Sequence, residues 1–272
     1  MPEGDTIHRA AANLRKVLHG QRIVSASGRQ EVLKVGDLIG AEVRGIEARG
    51  KHLLLHFDSD VVVHSHMGMT GSWHIYHLTD NWQKPDTLAV LVLKTAEWCV
   101  VCFTPKLLEI VSKNKLRRNP WLIKLGPDIL GPPIADEAFV LRMRSQTHQT
   151  VGEVVMNQSV VSGIGNVYKS EILFLERVHP ESLIAELDDA ALLLIRDRAV
   201  SLIKRNLTNG PRTTRSRGEA SRLWVYGRHG QPCLKCGTNI LMLRQGDNAR
   251  STYFCLECQS KCDRISSSKN AI

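Results

Sequence analysis

The first residues of the chain could do covalent chemistry. Met1-Pro2-Glu3 puts a proline second, which permits removal of the methionine and leaves Pro2 as a terminal secondary amine. An α-amino group titrates near ~7.7–8, so a fraction is uncharged at neutral pH and can attack an electrophilic carbon to form a Schiff base. Glu3 beside it could give or take a proton. A third candidate is Lys51, at the head of Lys51-His52-Leu53-Leu54-Leu55-His56-Phe57. Period-two alternation puts it on the face of Leu53, Leu55 and Phe57. There it either snorkels to the rim or stands in a cleft with a perturbed pKa.

A second chemistry belongs to the cysteines. The chain has seven, Cys99, Cys102, Cys233, Cys236, Cys255, Cys258 and Cys262. An odd number without a secretory leader speaks against a disulfide framework and for metal ligation in a reducing compartment. Cys233-x2-Cys236 followed by Cys255-x2-Cys258 has the spacing of a four-cysteine Zn²⁺ site. Four thiolates close the coordination shell, so the expected ion is single and structural. Ile240 to Leu243 and Thr252 to Phe254 read as hairpin strands turning at Gln245 to Asn248, which presents Arg250 at the tip. Cys99 and Cys102 read as core thiols on opposite faces of a strand, and Cys262 falls outside the zinc pattern.

Several elements must position these groups. Ile7, Ala10, Ala11, Leu14, Val17 and Leu18 recur at helical spacing, with Asp5 as N-cap and Gly20 as stop. The positive end of that helix favours an uncharged amine at Pro2 and an ionised Glu3. Short β-rich runs follow at 41–47, 51–57, 61–66, 72–77, 88–94 and 98–103, the pattern of a sandwich or barrel-like sheet pair. His64 to Gly71 interrupts them; a loop tip exposing Met67 or Met69 could wedge between bases, whereas a methionine folded under a turn would serve packing. Next come the basic cluster Lys113, Lys115, Arg117 and Arg118 and the linker-like Leu125 to Pro133.

After the linker the pattern turns helical, at 137–144, 150–158, 167–177 and 188–206. Ser159 to Asn166, with glycines at 163 and 165, forms a double turn whose backbone N–H groups could hold a phosphate, or a plain helix connection. Residues 209 to 218 look like a mobile basic loop and the last ten residues disordered.

The bulk numbers bound the reading. A chain of 272 residues with 43% hydrophobic content can form two domains and an ample core without disulfides. No apolar run approaches the ~20 residues of a membrane span, so a cytoplasmic protein with no membrane partner is expected. The net charge is +9, and all of the excess lies at the end. Residues 201 to 272 carry 13 Lys/Arg against 4 Asp/Glu, and the rest is balanced at 23 each. A basic quarter on a neutral body suggests a polyanion partner.

Taken together, Met1-Pro2-Glu3-Gly4, Arg49-Gly50-Lys51, Leu125-Gly-Pro-Asp128, Gly163-Ile-Gly-Asn166 and the cysteine hairpin bearing Arg250 resemble the formamidopyrimidine-DNA glycosylase and endonuclease VIII family. The resemblance runs to about residue 260. It implies an α+β multidomain fold: an N-terminal β-sandwich with a flanking helix over 1–128, a linker at 129–136, a helix-two-turns-helix domain over 137–222, a zinc-finger hairpin over 223–262, and a tail.

It also implies roles. Pro2 is the nucleophile at C1′ of a damaged nucleotide, Glu3 the proton donor for ring opening, and Lys51 a phosphate contact that assists β-elimination. Asn166 and Arg250 grip phosphates around the flipped nucleotide, Arg250 also serving δ-elimination. Met69 fills the gap left by the flipped base, and Lys124 replaces a DNA-binding arginine. Gly4-Asp5-Thr6 is closer to endonuclease VIII, whose usual substrates are oxidised pyrimidines, whereas His66 to Gly71 looks more like the purine-preferring formamidopyrimidine enzymes. The implied activity is a bifunctional DNA glycosylase/AP lyase of base excision repair, acting as a monomer on double-stranded DNA with oxidised bases or abasic sites. A non-catalytic zinc-dependent DNA binder would keep the charge and the cysteines but have no use for Pro2, Glu3 and Lys51.

Overall fold

The structure, a computed structural model, describes residues 1–29, 34–208, 210–216 and 218–260. Cys262 and the last ten residues lie outside that range. The chain divides into two compact units. The first holds Met1–Pro133 and takes in Gln158–Gly165 and Ile203–Gly210; the second holds Ile134–Asn157, Asn166–Leu202 and the residues from Pro211 on. Among the described residues no helix is long and apolar enough to cross a membrane.

The first unit is a β-sandwich. Helix α1 (Gly4–Leu18) precedes strands β1 (Ser25–Gly28), β2 (Val43–Arg49), β3 (His52–Phe57), β4 (Val61–His66), β5 (Ser72–His77), β6 (Ala89–Lys94), β7 (Trp98–Phe103) and β8 (Leu107–Ser112). They form two four-stranded antiparallel sheets, β1-β6-β7-β5 and β2-β3-β4-β8. Leu53, Leu55, Phe57 and Val63 from one sheet meet Leu91, Leu93, Val100 and Cys102 from the other, and Ile7, Leu14 and Leu18 of α1 join them. Each such side chain contributes about 1.5–3 kcal/mol on burial. Cys99 lies with Tyr76 and Phe103 in a separate cluster, so the two strand thiols do face opposite ways.

Some expectations need correction. Helix α1 begins at Gly4 with Glu3 in the cap position; Asp5 sits inside the first turn, where its charge still suits the helix dipole. Lys51 stands in the turn before β3, so alternation begins at His52. Strands β1 and β8 were not anticipated: β1 is short and mostly exposed, and β8, Leu-Leu-Glu-Ile-Val-Ser, runs straight into the basic cluster without a Gly or Pro boundary. That cluster folds as α2 (Lys113–Arg117), capped by Ser112, and α3 (Pro120–Ile123), capped by Asn119 with proline at its first position.

The second unit contains α4 (Asp136–Arg144), α5 (Val151–Val154), α6 (Asn166–Leu175), α7 (Asp189–Arg205), whose last turn belongs to the first unit, and the hairpin β9 (Leu241–Gln245) with β10 (Arg250–Phe254). Helix α5 is shorter than its apolar periodicity predicts. Residues 211–216 are not a free loop: the Thr214 hydroxyl bonds the Glu171 carboxylate, and Arg215 lies 4.6 Å from the Trp224 ring.

Candidate active site and DNA-binding residues

The two-turn loop 158–165 organises the candidate site of the first unit. Gly163 takes a left-handed backbone at φ 103°, a conformation that favours glycine. Its N–H donates to Gln158 Oε1 at 3.1 Å while Gln158 Nε2 donates to the Ile164 carbonyl at 3.0 Å, so the loop closes on itself. The carbonyl of Gly163 accepts from the Gly4 N–H at 2.8 Å, and a Cβ on Gly4 would lie 3.0 Å from that oxygen. The chain start is therefore seated directly on the loop.

Glu3 is fully buried. Its carboxyl carbon would be 2.2 Å from a Cβ on Gly165, so the second glycine of Gly163-Ile-Gly165 makes room for the carboxylate. Pro2, one residue before, is half-buried.

The Gly50-Lys51 turn meets the same loop through Gly50. Gly50, at φ 58°, packs on Ser162, whose Cβ would be 2.9 Å from a Gly50 side chain. Asp128 holds this turn: its Oδ2 accepts from the Gly50 N–H at 2.7 Å and meets His8 Nε2 of α1 at 2.9 Å, while Oδ1 accepts from the Leu130 N–H. Ser162 N–H donates to the Pro127 carbonyl and its hydroxyl to the Gly126 carbonyl. Glu3-Gly4 and Gly50 are thus brought to one loop, each next in sequence to Pro2 or Lys51, with Asp128 tying the Gly50 turn to α1. This role of Asp128 had no chemical signal in the sequence beyond its place in Leu-Gly-Pro-Asp.

Met69 tips the turn after β4 and is 70% exposed, whereas Met67 is buried beneath it. The two alternatives for this loop are each realised, one methionine apiece. Gly71 is packed so tightly that a Cβ would fall 2.3 Å from the Met67 carbonyl. Lys124 is exposed at the end of α3.

Asn166 and Arg250 belong to the second unit. There, α6 is stitched to β10 residue by residue. Asn166 Nδ2 donates to the Ser251 carbonyl at 2.7 Å, Lys169 Nζ to Thr252 Oγ1 at 2.6 Å, and Ser170 Oγ accepts from the Tyr253 N–H at 3.3 Å. Thr252 Oγ1 donates to Gln245 Oε1 at 2.7 Å, and Gln245 Nε2 reaches the Pro180 carbonyl at 2.9 Å. Buried Lys169 escaped sequence analysis because a lysine inside a helix reads as solvated. Arg250, exposed, heads the strand so anchored. Glu171 was missed for the same reason as Lys169: fully buried, it accepts three backbone N–H bonds, from Trp224, Val225 and Tyr226, each at 2.8 Å.

Sγ atoms of Cys233, Cys236, Cys255 and Cys258 all lie within 4.8 Å of one another, a group that could hold a metal ion. Cys233 and Cys258 are 3.8 Å apart, Cys236 and Cys255 3.4 Å. Burial, and then the three neighbouring thiols, push Cys258 above the ordinary thiol range. Ionised together, four sulfurs this close would need a cation between them.

A β-sandwich whose Pro-Glu start rests on a two-turn loop, followed by a helical unit with a four-cysteine hairpin, defines a class of DNA-repair fold. The model of the formamidopyrimidine-DNA glycosylase N-terminal domain matches residues 1–105, and that of the formamidopyrimidine-DNA glycosylase H2TH domain matches residues 125–217. The chain belongs to the formamidopyrimidine-DNA glycosylase family. Within it the chain is similar to a probable endonuclease 8 2 of Streptomyces coelicolor, 36% identical over 96% of this chain and 94% of the relative. It is 33% identical to the DNA-(apurinic or apyrimidinic site) lyase Nei2 of Mycolicibacterium smegmatis, over 96% and 99% of the two chains. A solved Lactococcus lactis Fpg in complex with abasic-site DNA has a TM-score of 0.81 at 24% identity, covering 96% of this chain and all of that one, a likeness of fold.

Proposed function

We propose that Pro2, freed of Met1, is the nucleophile of a bifunctional DNA glycosylase/AP lyase of base excision repair. The observation that carries the reading is the seating of Glu3, Gly4 and Gly50, the chain neighbours of Pro2 and Lys51, on the single loop 158–165. The amine lone pair forms a bond to C1′ of the damaged nucleotide, and the base leaves with the glycosidic electron pair. The ammonium nitrogen so formed gives its proton to the Glu3 carboxylate, which passes it to O4′ as the nitrogen lone pair opens the sugar, and nitrogen and C1′ are left as a Schiff base. Loss of a C2′ proton expels the 3′ phosphate, a step Lys51 assists by holding phosphate, and water releases the enzyme.

DNA with oxidised bases or abasic sites is the partner, and the protein acts as a monomer. Asn166 and Arg250 grip phosphates, Arg250 also aiding δ-elimination; Lys124 adds a phosphate contact and Met69 fills the stack after the nucleotide swings out. Oxidised pyrimidines are the preferred lesions, supported by the similarity to endonuclease 8 proteins.

The four cysteines hold one structural Zn²⁺. Zinc–sulfur bonds of ~2.3 Å in a tetrahedron put sulfurs about 3.8 Å apart, and the separations of 3.8 and 3.4 Å suit it. Bound there, the ion supplies cross-linking, which keeps β9 and β10 in register for Arg250.

The test is borohydride trapping on an abasic-site duplex, with Met1 removed or retained. The processed protein forms a covalent adduct and the retained-Met1 protein forms none; an adduct of equal yield from both removes Pro2 from the chemistry.

A further inference from the structure

We propose that the face formed by β8, α2 and α3 is a second nucleic-acid site, which binds one nucleotide of single-stranded DNA with its base stacked on Trp121. The proposal does not depend on the Pro2 chemistry.

A cleft of about 680 Å³ lies here, lined among others by Leu107, Glu109, Lys115, Arg118, Asn119 and Trp121. Trp121 is 72% exposed, an unusual place for an indole. It is held there rigidly: Pro120 starts the helical turn, and Asn119 Oδ1 accepts from the Trp121 N–H at 3.0 Å. Leu122, next along, is buried against Leu54 and Val62 of the sheet and fixes the side of α3 that faces the core. An aromatic ring presented on a fixed backbone is a stacking platform that loses little entropy on binding.

The surroundings are those of an anion site. Residues 110 to 127 contain Lys113, Lys115, Arg117, Arg118 and Lys124 and no acidic residue. Lys113 is spent on the Phe57 and Ser59 carbonyls, while Lys115, Arg117, Arg118 and Lys124 are exposed. Lys115 and Arg118 line the cleft itself and are the groups that would meet a phosphate.

One carboxylate stands in the cleft, and its placement argues for a base rather than a bare phosphate. Glu109 Oε1 is engaged by His64 Nδ1 at 2.8 Å and by Asn119 Nδ2 at 3.1 Å, and His64 Nε2 meets His52 Nδ1 at 2.8 Å. This pair, His64 buried and His52 half-buried, orients the carboxylate and leaves Oε2, on a side chain 25% exposed, as an acceptor for an N–H on the edge of an occupant. A phosphate alone would be repelled by Glu109, whereas cytosine offers its N4 amino group to such an acceptor. Stacking ring, cations and acceptor together match a nucleotide with an unpaired base, which a single strand supplies at every position.

The experiment measures anisotropy of a labelled dC12 strand and of a same-length strand of abasic tetrahydrofuran units, with the full-length protein. The intact protein binds dC12 more tightly than the abasic strand. Trp121→Ala weakens dC12 about tenfold and leaves the abasic strand unchanged; Trp121→Phe restores most of the loss. Lys115→Ala with Arg118→Ala weakens both strands and lowers the salt slope. Borohydride trapping on the abasic duplex stays intact in the Trp121 variants, which separates this site from the catalytic one. Equal affinity for the two strands, or a Trp121→Ala protein that binds dC12 as well as wild type, overturns the proposal.

Discussion

Glu3 is buried against a residue with no side chain, so the carboxylate can stand where it does only while position 165 is glycine. A methyl group there would overlap Glu3 at 2.2 Å from its carboxyl carbon, and a fully buried side chain has nowhere to swing. Overpacking of this kind costs about 1–3 kcal/mol, which the fold tolerates. A displacement of an ångström or so at a proton donor costs about a hundredfold in rate. Gly165→Ala should therefore give a soluble, folded protein whose single-turnover base excision is slower by about that factor. An unaltered rate would mean that Glu3 is not held by this contact. Gly163 serves a different need, since its φ of 103° is a backbone state that side chains disfavour.

At the scale of elements, the outer face of β3 and β4 carries an unusual load of histidine. His52 and His64 stack with centroids 5.1 Å apart, and His66 sits edge-on to His52 at 4.9 Å. Burial, then His66 and His64, hold His52 down to about 3; burial, then Lys106 and Lys51, hold His66 down to about 4. In the unfolded chain both titrate near ~6.5. Between those values the unfolded state binds more protons than the folded one, so stability falls as pH drops from about 6.5 to about 4. Melting curves for wild type and His52→Gln across that range should show the shallower pH dependence in the variant. Parallel curves would mean that His52 is protonated alike in both states. Lys51 stands in the turn just before β3, close enough to act electrostatically on His52 and His66.

For the whole molecule, the cysteine group that could hold a metal and the charge lie in the same stretch. The last quarter of the chain carries the net positive excess and also the four-cysteine group, where the proposed zinc would tie the hairpin together. The hairpin is small, and its other anchors are the Asn166, Lys169 and Ser170 bonds and the Gln245 network. Stripping zinc with a strong chelator should lower the thermal midpoint by more than about 5 °C and abolish tight duplex binding, both returning when zinc is restored. Retention of full DNA affinity by metal-free protein would show that the hairpin holds its shape without the ion.

Much of this was legible from local chemistry. The β-runs at 61–66, 72–77 and 98–103 match β4, β5 and β7, because alternation is a property of a strand by itself. The cysteine spacing announced the cluster for a similar reason, each pair being a local knuckle. What residue order left undetermined was every contact made over distance. Whether Lys51 stood on a strand or in a turn, which methionine of the loop was exposed, and that Asp128 would clasp Gly50 and His8 depended on segments that meet only after folding. A glycine in the sequence says that a side chain is absent; only the packed chain says that the missing atom's place belongs to Glu3. Side-chain type and spacing thus named the chemistry and the family, and tertiary packing chose the neighbours, because burial and hydrogen bonding are settled by what lies across the fold.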